Sequence, residues 1–254
     1  MIYSIEEIEL IRESSLLVGK TLAVVGQMIA PGIKTSELDK KAEEFIRDNN
    51  AVPAFKGYSG FPNTLCTSRN NVVVHGIPGD STLQDGDIIS VDCGVVKNGF
   101  YGDSAYTFEV GEVDWHMREL TQTTKESLYC GLKMAIVGNR IGDIGSAIQQ
   151  YAESKGYSVV RELIGHGVGR HLHEEPEVPN FGKRGRGTVL KDGMVIAIEP
   201  MINMGKKNIK QLKDGWTIIT SDGRPSAHFE HTVAVGKDTA DVLSSFEFVE
   251  SEIK

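Results

Sequence analysis

Residues 91–103 read VDCGVVKNGFYGD: two β-branched and aromatic runs around an Asn-Gly pair, with one aspartate in each run. Asn98-Gly99 is the strongest short-range signal for a two-residue hairpin, because a type I′ turn needs positive φ at both central positions. With those residues at the tip, Lys97 opposes Phe100, Val96 opposes Tyr101, Gly94 opposes Asp103 and Asp92 opposes Ala105. Paired residues share a face and side chains alternate along each strand, so Asp92 and Asp103 point the same way, on a diagonal. Aspartate is depleted from strands because its short side chain bonds nearby backbone in turns. Two of them together should not both ionise unaided, since repulsion and desolvation raise at least one pKa. Either the face is wet or a cation sits between the acids. The hairpin alone leaves both readings open.

Around this hairpin lies a chain of 254 residues, 40% hydrophobic and 24% charged, which is ordinary for a soluble globular protein. The opening MIYSIEEIELIRESS has no basic n-region and no apolar h-region, so it does not read as a signal peptide. The longest apolar runs, such as residues 22–25, are too short to cross a bilayer. Cys66, Cys93 and Cys130 are widely spaced and give neither a disulfide framework nor a zinc-ribbon spacing, so a reducing cytoplasm is the expected location. The net charge of -8 argues against broad nucleic-acid binding, and neither DNA nor a membrane is an expected partner. Two basic stretches (Lys183, Arg184 and Arg186; Lys206, Lys207, Lys210 and Lys213) read as solvated loop tips, with contact to RNA or another acidic partner as the alternative.

Helical periodicity is expected over residues 4–28, carried by Ile5, Ile8, Ile11, Leu16 and Val18. Pro31-Gly32 breaks it, and Thr35 or Ser36 supplies the N-cap of a second helix ending near Asn49-Asn50. Strand patterns follow at 64–67, 71–75, 87–96 and 100–110, then helices over 114–137 and 142–155, then strands around 157–164, 194–198, 216–220 and 227–235. The order helix, helix, strands therefore occurs twice. PGIKTSELDKKAEEFIRDNN and VGNRIGDIGSAIQQYAESKG align without gaps, matching Gly32 with Gly138, Lys34 with Arg140, Leu38 with Ile144 and Phe45 with Tyr151. The expectation is one α+β domain over 1–254, built of two pseudo-symmetric halves (about 1–112 and 113–254) that share a sheet and a core.

Three further clusters bear on the hairpin acids. RELIGHGVGRHLHEEP holds His166, His171 and His173 in a glycine-rich run. Its Gly165-x-Gly167-x-Gly169 is a poor dinucleotide loop, because no strand–turn–helix context follows. MVIAIEP is an apolar strand ending in Glu199-Pro200, and AHFEHTVAV centres Glu230 between His228 and His231. Each is ambiguous alone; four acidic or imidazole clusters on strand ends favour a carboxylate-rich metal site.

The ordered set Asp92, Asp103, His166, Glu199, Glu230, in the contexts VDCG, YGDSAYTF, GHGVGRHLHEEP, AIEP and FEHTVAV, closely resembles the type I methionine aminopeptidases. CTSRNNVVVHGIP with His75, and DGWT, strengthen the match, which runs from the first helix to about Val242. The resemblance implies the pita-bread fold of the creatinase and aminopeptidase enzymes, a pseudo-two-fold antiparallel sheet covered by helices. It implies that Asp92, Asp103, His166, Glu199 and Glu230 hold two divalent ions, for which Mn, Fe, Co or Zn suit the donor set. It further implies a metal-activated bridging water as nucleophile, Glu199 as general base, and His75 and His173 as donors to the scissile amide and developing oxyanion. By position, Phe55, Tyr58, Phe61, Cys66, Leu172 and Trp216 would line the methionine pocket, a surface suited to a thioether. Better-known members carry Cys at the position of Phe55, Phe at that of Leu172 and Gln at that of His228, which bears on pocket shape and on the surroundings of the ligands.

The implied activity is removal of the initiator methionine from nascent proteins and peptides when the second residue is small. The implied partners are chain N-termini; the lysines of 206–213 add transient ribosome contact as a candidate, and a monomer is the default expectation. An Xaa-Pro aminopeptidase or prolidase-like hydrolase on the same fold is disfavoured, since those relatives carry a large N-terminal domain and only about ninety residues precede Asp92. A non-catalytic peptide- or RNA-binding relative is disfavoured because all five ligands are present. The type II form is disfavoured because no long insertion separates Gly167 from Glu199.

Overall fold

A computed structural model describes residues 1–252. Ile88–Lys97 and Phe100–Glu109 pair antiparallel along their full lengths, with Gly94 opposite Asp103 and Asp92 opposite Ala105. Asn98 (φ 52°) and Gly99 (φ 79°) are both left-handed, as a type I′ turn requires. Val52–Pro53 and Leu65–Arg69 flank the first arm and complete a four-stranded sheet.

Helix α1 (Ile5–Gly26) packs across both arms of the hairpin. Ser4 caps it: its hydroxyl accepts the Glu7 N–H while the Glu7 carboxylate accepts the Ser4 N–H, the reciprocal capping box. Helix and strand touch at Gly102, where a Cβ would lie 2.4 Å from the Ser15 nitrogen. Helix α2 (Thr35–Asp48) is capped differently from the sequence expectation. Lys34 holds the cap position and Glu37 accepts its backbone N–H, because the Thr35 hydroxyl is already engaged with the Gly79 backbone. Helix α3 (Trp115–Leu132) packs against α4 (Ile141–Ser154). α4 starts as α2 does, with Arg140 at the cap and Asp143 accepting its N–H. Gly32 and Gly138 precede the two helices at φ 99° and 92°, and donate to Leu83 O and Leu190 O respectively. Leu38 and Ile144, one turn further on, are fully buried.

A five-stranded sheet runs in the order Asp241–Val242, His231–Ala234, Val195–Ile198, Gly165–Gly167, Glu174–Val178. The strand expected over 227–235 is broken in two. Ser226–His228 pairs with Met201–Asn203, whereas His231–Ala234 pairs with Val195–Ile198. Between them Phe229-Glu230 faces Glu199-Pro200 on the partner, where Pro200 has no N–H to continue the ladder. Glu230 therefore sits at the break, not mid-strand, and its N–H donates to Ala105 O at 3.0 Å. The strand expected over 157–164 shrinks to Ser158–Val159.

Hydroxyl side chains join the hairpin to the strands of the second half. Thr232 Oγ1 donates to Asp103 O (2.8 Å) and accepts the Asp103 N–H (3.2 Å). Ser104 Oγ donates to Glu230 O at 2.6 Å, and Thr107 Oγ1 donates to His228 O at 2.7 Å. All three hydroxyl residues are buried. Among the described residues, no helix is long and apolar enough to cross a membrane.

Candidate functional site

The seam brings the hairpin acids to the second sheet's acids. Asp92 and Asp103 come from the two hairpin arms, Glu199 follows the strand Val195–Ile198, Glu230 precedes its partner His231–Ala234, and His166 lies within Gly165–Gly167. Asp103, His166 and Glu230 present ligand atoms within 4.8 Å of one another. Glu199 Oε1 lies 3.5 Å from His166 Nε2, and the Asp92 carboxyl lies against that of Asp103. The His166 ring is fixed by Nδ1, 2.9 Å from Gly167 O, so Nε2 is left to face the acids.

Burial pushes the carboxyls of Asp103, Glu199 and Glu230 well above the ordinary range, and repulsion among the acids adds to it. Burial also raises Asp92, to about 7, although the hydrogen bond with Asp103 and then the Cys93 backbone N–H oppose the shift. Asp92 Oδ1, Asp103 Oδ1 and Glu230 Oε1 are buried with no hydrogen-bond partner among the described residues. Carboxylate oxygens are strong acceptors, and burying them unpartnered is costly. A divalent cation removes that cost and inverts the local pKa logic, so the donor set fits a metal.

The same cavity, about 130 Å³, is lined on its other side by Phe55, Tyr58, Phe61, Cys66, Leu172 and Trp216, with His75 and His173 at the junction. Every residue singled out from the sequence for metal, catalysis or methionine binding thus lines one cavity. Phe55, Phe61, Cys66 and Leu172 are buried and pack as one apolar cluster with Trp216. Gly94, opposite Asp103, makes room for this wall, since a Cβ there would meet the Phe55 ring at 2.5 Å. Burial lowers His75 and His166 to about 4, helped by the nearby His173, and lowers His173 as well. The His75 and His166 rings are therefore neutral near pH 7, while His173, exposed at its edge, is shifted in the same direction.

Three contacts were not foreseen. Tyr58 Oη lies 2.7 Å from His173 Nδ1, and Asn180 Nδ2 donates to the Glu199 carbonyl at 3.0 Å. Asp39, at the heart of α2, accepts the N–H groups of Thr64 and Leu65 and the Asn63 amide, fixing the turn between Phe61 and Cys66. None carries a sequence signal, because each is one ordinary residue meeting a distant backbone or ring. His228, where better-known members carry Gln, directs Nε2 at Glu199 Oε2, 3.8 Å away. His171 is exposed and lines no part of the cavity.

The profile of metallopeptidase family M24 matches residues 9–237. The chain belongs to metallopeptidase family M24. Within M24, a methionine aminopeptidase of Clostridium perfringens is 52% identical over 238 residues, covering 94% of this chain and 96% of that protein. A crystal structure of methionine aminopeptidase from Rickettsia prowazekii superposes with a TM-score of 0.95 at 40% identity, covering 96% of this chain and 99% of that one. The prolidase of Pyrococcus furiosus superposes less closely, with a TM-score of 0.80 at 25% identity, and this chain covers 66% of it. The fold is accordingly the α+β pita-bread architecture of M24, and the chain is a divalent-metal hydrolase of peptide bonds.

Proposed function

We propose that this chain is a methionine aminopeptidase, removing the N-terminal methionine from nascent proteins and peptides whose second residue is small. The observation that carries the reading is the junction of two surfaces. A pocket of aromatic, thiol and aliphatic side chains opens onto buried carboxylates whose oxygens lack partners. The similarity to methionine aminopeptidases over nearly their full lengths supports it above a prolidase-like activity.

In this reading Asp92, Asp103, His166, Glu199 and Glu230 hold two divalent ions, with Mn, Fe, Co and Zn as the candidates. Cations held there supply Lewis acidity and lower the pKa of a coordinated water. The apolar wall takes the unbranched thioether, and Tyr58 and Trp216 at its rim exclude water. His75 and His173 offer N–H donors to the scissile amide and to its oxygen as negative charge builds there. Glu199 accepts a proton from the attacking water and returns it to the leaving amine. The chain would work as one catalytic domain of two pseudo-symmetric halves, about 1–112 and 113–254, as a cytoplasmic monomer. The exposed lysines 206, 207, 210 and 213 would allow transient ribosome contact; salt-sensitive co-sedimentation with ribosomes tests that point.

The deciding assay measures release from Met-Gly-X, Met-Leu-X and Gly-Pro-X peptides with each divalent ion added in turn. Methionine should leave Met-Gly-X fastest. No release from Met-Gly-X with any ion overturns the reading, and faster cleavage of Gly-Pro-X installs the prolidase-like one.

A further inference from the structure

Leu172 and His173 stand on a turn, residues 168–173, between the strands Gly165–Gly167 and Glu174–Val178, and that turn is held from outside the cavity. Tyr3, preceding α1, is 5% exposed and wedges its ring against Phe100 and the turn. Its hydroxyl donates to the Glu174 carboxylate (2.7 Å) and accepts the Arg170 N–H (3.0 Å). Glu174 Oε1 in turn accepts the His171 N–H at 2.9 Å. One phenol–carboxylate pair therefore fastens residues 170, 171 and 174, on both sides of Leu172 and His173. Tyr3 is itself anchored, its N–H donating to Gly193 O at 2.8 Å. Gly169 leaves space for it, since a Cβ there would fall 2.2 Å from the Tyr3 hydroxyl.

We propose that Tyr3 is a positioning residue for the reaction, setting through Glu174 the turn that presents His173 to the scissile amide and Leu172 to the substrate side chain. The proposal rests on the aminopeptidase reading above for its catalytic consequence, but not for its structural one. Removing the hydroxyl leaves the Arg170 N–H and the Glu174 carboxylate without their buried partner. The turn then gains freedom at the two residues it must hold still, and misplacement of a donor by about 1 Å can cost on the order of 10²-fold in rate.

Tyr3→Phe keeps the ring and its packing and removes only the hydroxyl. The metal-replete variant should show faster amide hydrogen exchange at Arg170 and His171, unchanged metal stoichiometry, and a kcat for Met-Gly-X about tenfold lower. In a His173→Ala background the same substitution should add almost no further loss, because residues acting through one group are not additive. Glu174→Gln, which keeps side-chain length, provides the same readouts if Tyr3→Phe fails to fold. Unchanged exchange at 170 and 171 overturns the brace. So does a drop in Tm with kcat intact, which marks a purely structural tyrosine, or a kcat loss that multiplies fully with that of His173→Ala. If the wild-type enzyme releases no methionine, the aminopeptidase reading has failed, and the exchange measurement still decides whether the brace exists.

Discussion

Glu199 stands between two imidazoles, with His166 Nε2 3.5 Å from one oxygen and His228 Nε2 3.8 Å from the other. Its backbone carbonyl is held by Asn180. Glu199→Gln is nearly isosteric, so circular dichroism should stay close to wild type while bound metal weakens and kcat falls by about 10²–10⁴. Wild-type turnover in that variant would remove Glu199 from the proton path. His173→Ala should lower kcat by about 10²–10³, the usual effect of losing one oxyanion donor, and should leave metal content unchanged by elemental analysis. At this scale the sequence was informative wherever a residue contradicted its surroundings, as an acid does within or at the end of an apolar run. Asp92, Asp103, Glu199 and Glu230 all do so. Asn180 and Tyr58 do not, because each is commonplace where it stands and acquires meaning only from a partner 19 or 115 residues away.

Among the elements, the hairpin Ile88–Lys97/Phe100–Glu109 fixes a register, and register decides which faces the acids share. One alanine inserted between Asn98 and Gly99 shifts one arm against the other and turns a carboxylate to the opposite face. The insertion should reduce bound metal per chain as much as Asp103→Asn does, and unchanged stoichiometry by elemental analysis would show that the pairing slips back. This element was legible in full because turn chemistry and alternation agree. The strands of the second half were not. Gly165–Gly167 and Met201–Asn203 are three residues long, too short for any periodicity. The interruption at Phe229-Glu230 depends on Pro200 of a strand that sequence alone does not pair with it.

Across the whole molecule, the buried acids make metal binding and stability one equilibrium. Chelation with EDTA should abolish turnover and lower Tm, and re-addition of Mn or Co should restore both, because the ion binds only the folded cage. At a free-ion concentration 100 times Kd the gain is about 2.7 kcal/mol, or roughly 5–10 °C in Tm for a chain of this size. Asp103→Asn should raise the Tm of the metal-free protein, by relieving repulsion, and shrink the metal-induced shift. Equal shifts in both proteins by calorimetry would sink this account. Without the family resemblance, the global arrangement was readable only as a repeat of helix, helix, strands. How the two groups of strands meet was not, since the meeting relies on Ser104, Thr107 and Thr232, hydroxyls with no distinguishing context.

That hydroxyl stitching makes the proposed metal cage a strain gauge for the joint between the hairpin sheet and the strands of the second half. Asp92 and Asp103 hang on one side of it, His166, Glu199 and Glu230 on the other, so a gap too small to disturb any helix is enough to unmake the cage. On slow warming, turnover and bound metal should disappear together, ahead of the loss of helical ellipticity, and return on cooling.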